Sequence, residues 1–178
     1  MIATELFAQM PAPLAMRILE HAYDADKDLY RELLARLAKA RRVHLPVLQR
    51  IPRSERHPWM IEMLSSPASI EPAYQCISGW LLATQAPVLT DFLNAVGIAH
   101  DGRGCAEAFP ADPPPAATIR GAVASLLQRH PREIAIVYLH AFNGMPDTRW
   151  PELDSMLKDD PSLQFAPGPI APLPQPRA

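Results

Sequence analysis

"REIAIVYLHAF", residues 132–142, decides how the rest of the chain is read. Ile134, Ile136 and Val137 would suit a buried strand, because branched side chains pack well on a pleated surface. The stretch is also apolar nearly all round, which suits a helix enclosed on every side. Two features favour the helix. A lone strand would have no partner here, and Asn143-Gly144 directly afterwards reads as a helix stop. Residues 132–143 are therefore expected to form a core helix, and the fold class is all-α.

Helical spacing continues outward from this segment. On the N-terminal side, Ile119, Val123, Leu126 and Leu127 form a stripe that ends before Pro131. On the other side a helix opens near Pro151, turns Leu153, Met156 and Leu157 inward, and stops by Pro161. Further back, Ser69 is expected to cap a helix whose inner face is Ile70, Tyr74, Ile77, Leu81 and Thr84, with Trp80 alongside. Pro87 opens the next, with Val88, Leu89, Phe92, Leu93 and Val96 inward, and Gly97-Ile98 closes it. "DADKDLYRELLARLAKARR", residues 24–42, is the plainest helix of all. Leu29, Leu33 and Leu37 lie one above another, Asp24, Asp26 and Asp28 stand at its start, and Arg36, Lys39, Arg41 and Arg42 at its end. The helix dipole favours that charge order. Shorter pieces follow from Leu6–Met10, Leu14–Ala22, Leu45–Ile51 and Pro58–Leu64.

The expected architecture is a compact single-domain array of about eight helices over residues 1–160, centred on those at 70–97 and 132–143. Residues 98–115 are the one long stretch without helical period, with a small hairpin open to them around Asp101-Gly102. The Pro-rich tail, 161–178, is expected to be extended or disordered, or else pinned against the body.

With 178 residues, 48% of them hydrophobic and 20% charged, the chain can bury a full core, which excludes whole-chain disorder. There are 21 prolines against 7 glycines, so the breaks between helices fall to proline. The N-terminal stretch, with Glu5 and no basic region before its apolar residues, reads poorly as a signal peptide. Residues 72–90 lack charge but carry too many polar groups for a lipid-facing helix, so no membrane segment is expected. Cys76 and Cys105 fit no CxxC or zinc pattern and are read as reduced thiols, which points to the cytoplasm.

Charge is unevenly spread. Residues 36–57 hold seven of the 17 Lys and Arg residues and only one acid, Glu55, giving +6 there and −8 over the rest of a chain whose total is −2. Arg41, Arg42, Arg50, Arg53 and Arg56 are the candidate ligand-binding residues, since arginine's planar fork suits carboxylate or phosphate. If they converge, they make a basic edge for an acidic protein partner or an anionic ligand. The absence of a reader motif and of aromatics interleaved with the basic residues argues against nucleic acid. This non-enzymatic binding protein is the leading functional expectation.

The alternative is a small enzyme or metalloprotein whose site forms between the 98–109 loop and the 132–143 helix. Its candidate catalytic residues are His100, Asp101 and His140, with Cys105 and Glu107 nearby in sequence. Their spacing matches no established metal loop, and no glycine-rich phosphate loop, GxSxG or HExxH is present, so no metal and no cofactor is assigned. A third reading is an oligomer-forming patch at Trp59, Met60 and Met63.

Overall fold

In a computed structural model of the chain, residues 1–165 are described. They form ten α-helices: α1 (Ala3–Gln9), α2 (Ala12–Ala25), α3 (Lys27–Arg41), α4 (Leu45–Arg50), α5 (Arg53–Leu64), α6 (Ile70–Thr84), α7 (Ala86–Ala95), α8 (Ala116–Arg129), α9 (Arg132–Asn143) and α10 (Pro151–Asp159). Short 3-10 turns lie at Pro67–Ser69, Pro146–Thr148 and Pro161–Leu163. No strand is present among the described residues. The all-α architecture is thus as expected, with the shorter pieces counted as helices in their own right.

The deciding segment is helix α9, and eight of its twelve residues are buried. Magnitudes explain why Ile and Val do not turn it into a strand. Each branched residue costs a helix at most about 0.7 kcal/mol relative to alanine. A buried strand without a partner would leave most of its backbone amides and carbonyls unmet, at roughly 1–3 kcal/mol each. The helix bonds them internally, and at its C-terminus the buried Thr148 hydroxyl donates to the Phe142 carbonyl.

Two helices organise the core. α6 packs against α1, α2, α3, α5, α7 and α9, while α9 packs against α1, α6, α7, α8 and α10. Four of the first five helices therefore gather on α6, with α4 packed on α3, and the last ones gather on α9, with one continuous apolar cluster running through both groups. Phe92 of α7 and Phe142 of α9 sit at the C-terminal end of that cluster, ring centroids 5.2 Å apart, with Trp150 edge-on to Phe142 at 5.1 Å.

Several details differ from the sequence expectation. The helix expected from Asp24 begins at Lys27, because Asp26 is its cap and accepts the Leu29 amide at 3.0 Å. Asp24 belongs instead to the last turn of α2. The piece expected from Pro58 begins at Arg53, with Pro58 inside it. On α6 the buried face is Ala73, Cys76, Ile77, Trp80 and Leu81, whereas Ile70 is exposed. Met60 is wholly buried, so the expected patch of Trp59, Met60 and Met63 reduces to Trp59 and Met63, which are partly covered. Gly97 closes α7 as expected: at φ +76 it lets the Ile98 amide reach back to the Leu93 carbonyl at 2.9 Å while Ile98 itself is buried.

The packed chain also continues past 160. Residues 161–165 turn back onto the body, burying Leu163 and Phe165. Arg132 holds them by donating to the carbonyls of Pro161, Ser162 and Gln164. The rest of the Pro-rich tail, 166–178, lies outside the described residues.

Candidate functional site

The five candidate arginines divide among three environments. Arg56 is buried and faces the fold, not a ligand: Nη1 donates to the carbonyls of Leu48, Gln49 and Ile51, and Nε to the Tyr30 hydroxyl. The reason is local. α4 has six residues, too few to be stable alone, and its last carbonyls have no partner within the helix. A guanidinium is the one side chain with enough donors in a plane to satisfy several at once.

Arg53 lies at the same end of α5, with its guanidinium carbon 4.2 Å from the centroid of the exposed Tyr23 ring. Arg41 lies at the opposite end of α3, paired with Glu62 and 5.0 Å from the Trp59 ring centroid. Arg42 and Arg50 are exposed and make no ion pair among the described residues. Arg42 caps α3 in a left-handed conformation, φ +53, and its amide reaches the carbonyls of Ala38 and Lys39.

The basic stretch thus makes two surfaces. At the C-terminal end of α3, Arg36, Lys39 and Arg41 flank an open groove of about 860 Å³ floored by Trp59 and Met63, with Glu62 its only acid. At the N-terminal end, a second groove of about 500 Å³ is lined by Tyr23, Tyr30 and Leu34 with Lys27, Arg31 and Arg56, and Asp24 is the acid in its lining. The first is the better ligand surface, since it is larger and Lys39 in it is unpaired among the described residues, whereas in the second Arg31 pairs with Asp28 and Arg56 is committed to the carbonyls of α4. Its ion pairs are exposed: Arg36 with Glu32 at 45% and 50%, and Arg41 with Glu62 at 40% and 52%. Such pairs are worth about 0–1 kcal/mol, so another carboxylate can displace them. Lys39 has no ion-pair partner among the described residues.

The 98–109 loop does meet α9, but not through the expected side chains. The small hairpin reduces to one antiparallel backbone pairing, His100 with Ala106. The Asp101 carboxylate accepts the amides of Arg103 and Cys105, and these backbone donors hold it below the usual carboxylate range. His100 bonds Asn94 through Nε2 and the Gly102 amide through Nδ1, both at 3.1 Å. His140 takes different partners: the Met1 nitrogen lies 3.0 Å from Nδ1, and the Leu163 carbonyl 3.1 Å from Nε2. An ammonium only donates and a carbonyl only accepts, so the neutral ring carries its proton on Nε2. His100 and Asp101 therefore brace the same turn of the loop, while His140 bonds the Met1 nitrogen and the segment after α10. No group of three His, Cys, Asp or Glu residues placed to hold a metal occurs among the described residues.

What the loop and α9 enclose is an apolar pocket, walled by Leu89 and Leu93 of α7, Phe109 of the loop, and Tyr138 and Phe142 of α9. The sequence marked the residues of α7 and α9 as core and left Phe109 in the irregular stretch, and nothing in their spacing separates a filled core from one with a gap. A further buried cluster also went unmarked. His57 is buried with Nε2 3.0 Å from the Tyr30 hydroxyl, and its Nδ1 has no partner among the described residues. Burial, and then the neighbouring Arg56 charge, lower its pKa. Among the described residues no helix is long and apolar enough to cross a membrane. Comparison with family models, curated proteins and solved structures returns no match, which leaves geometry to carry the functional reading.

Proposed function

We propose that this chain is a non-enzymatic helical binding protein that receives an acidic protein segment in the groove between the C-terminal halves of α3 and α5. One observation carries the reading: Arg36, Lys39 and Arg41 surround a floor of Trp59 and Met63 in which Glu62 is the only acid. Cations bring an acidic partner in and set its register, while an apolar floor supplies the desolvated contact that holds it. Arg42, exposed and without an ion pair among the described residues, follows Arg41 at the end of α3 and extends the positive surface beyond the groove, whereas Arg50 ends α4 beside the Arg56 cluster. Arg41 lies over the Trp59 ring, so cation and apolar floor stand together in the groove. The free thiols Cys76 and Cys105 support the cytoplasm as its compartment.

The test is fluorescence anisotropy with a labelled Glu-rich peptide carrying a single leucine, run at low and high salt beside a single-stranded oligonucleotide. The peptide should bind and weaken with salt. Lys39→Glu combined with Arg42→Glu should weaken it by about tenfold or more and flatten the salt dependence. Peptide binding indifferent to that charge reversal, or an oligonucleotide preferred over the peptide, would refute the proposal.

A further inference from the structure

We propose that the apolar pocket between α6, α7, α9 and the 98–109 loop binds a small uncharged molecule, a single ring or short chain bearing one hydrogen-bond acceptor, with Tyr138 as the donor. The pocket has a volume of about 110 Å³ and no charged residue lines it. An apolar cavity of roughly 150 Å³ is known to hold benzene, so the space suits one ring at most. Nothing in the lining would offset the desolvation of a charged ligand.

The chemistry of the occupant follows from its polar atoms. Tyr138 is only 5% exposed and lines the pocket, yet its hydroxyl makes no hydrogen bond to any described residue. The hydroxyl is not among the fully enclosed side-chain atoms left without a partner, so it keeps some contact with solvent that a ligand can replace. Burial raises its pKa, so at ordinary pH the group is a phenol able to donate. The Ser78 hydroxyl, also in the lining, already donates to the Tyr74 carbonyl at 2.8 Å. Tyr138 is thus the more deeply buried of the two lining hydroxyls left for a ligand, the other being that of the half-buried Tyr74.

The wall facing α7 is held by close packing. Gly104 sits at φ +100, and a Cβ there would come within 2.5 Å of the Leu89 Cβ, so only glycine lets the loop close so tightly. Phe109 then packs edge-on to Phe142, centroids 5.8 Å apart. Leu82, 43% exposed, stands among the lining residues and gives the pocket a side open to solvent.

The experiment is calorimetric titration of the full chain with cyclopentanone and with cyclopentane, nearly the same shape with and without a carbonyl and both smaller than benzene. Both should bind. Tyr138→Phe should weaken cyclopentanone by about fivefold to tenfold and leave cyclopentane unchanged or tighter, because the hydroxyl contributes one hydrogen bond. Ala106→Leu, which fills the pocket from the loop, should abolish both. Failure of both probes to bind at millimolar concentration would overturn the proposal. So would equal factors for the two ligands in Tyr138→Phe, or binding that survives Ala106→Leu.

Discussion

At Arg56 a single guanidinium serves one hydroxyl and three carbonyls, all within 3.4 Å, in a buried setting. Removing it strips those acceptors of a charged donor and frees the last turn of α4. Arg56→Ala should lower stability by about 2–4 kcal/mol in urea titration. Arg56→Lys should restore little of this, since an ammonium cannot span the same acceptors. A loss under about 0.5 kcal/mol, as at an ordinary surface position, would contradict this role. His140 predicts a pH dependence. Burial first, and the Met1 ammonium second, lower it from 6.5 to about 4, against the opposing influences of Leu163 and Glu5. The unfolded chain takes up the proton first, so its contribution is complete above pH 6.5 and is lost as pH falls toward 4. That loss is about 3 kcal/mol by pH 4. His57 is shifted the same way, by burial and then by Arg56, so part of the loss remains without His140. Asp101, Asp154 and Asp160 are held low from 3.8 and lose their contribution only at more acid pH. His140→Gln should therefore show a flatter fall in urea stability between pH 7 and 4.5, and an unchanged slope would contradict the assignment.

At the scale of elements, α9 and the 98–109 loop make opposite demands on sequence. Ile136 is wholly buried on α9, and Ile136→Ala should cost about 2–5 kcal/mol. Ile70, 49% exposed at the start of α6, should cost within about 0.5 kcal/mol when changed to alanine. Similar losses at both positions would place the core elsewhere. In the loop, Gly102 and Gly104 both have positive φ, but only a Cβ at 104 meets Leu89. Gly104→Ala should lower the melting temperature clearly more than Gly102→Ala, and the reverse order would show that the loop does not close on α7. α9 was legible because its apolar residues and its Asn-Gly stop agree. The buried face of α6 was misplaced because Ala73 and Cys76 are small and weigh little in a hydrophobic pattern, although helix packing buries them fully. The start of α3 was misplaced because three aspartates precede its apolar stripe, and only the Asp26 side chain closes onto an amide. The fate of the arginines lay beyond sequence. Arg53 and Arg56 lie three residues apart on α5, yet one stacks on Tyr23 and the other is buried beneath α4. Which of the two happens depends on where a short helix from another part of the chain ends.

For the whole molecule, α6 and α9 give one apolar interior, and α3, α4 and α5 carry eight of the 17 Lys and Arg residues. The proposed binding reading depends on that charge acting at one end of α3, since the structure divides it between two. NMR resolves the ends directly. Titrating the isotope-labelled protein with the Glu-rich peptide should shift the Trp59 indole and the amides of Lys39, Arg41 and Met63 in a saturable way, leaving Tyr23 and Arg53 in place. Shifts confined to the Tyr23–Arg53 end, or no saturable shift anywhere, would contradict the assignment of the groove.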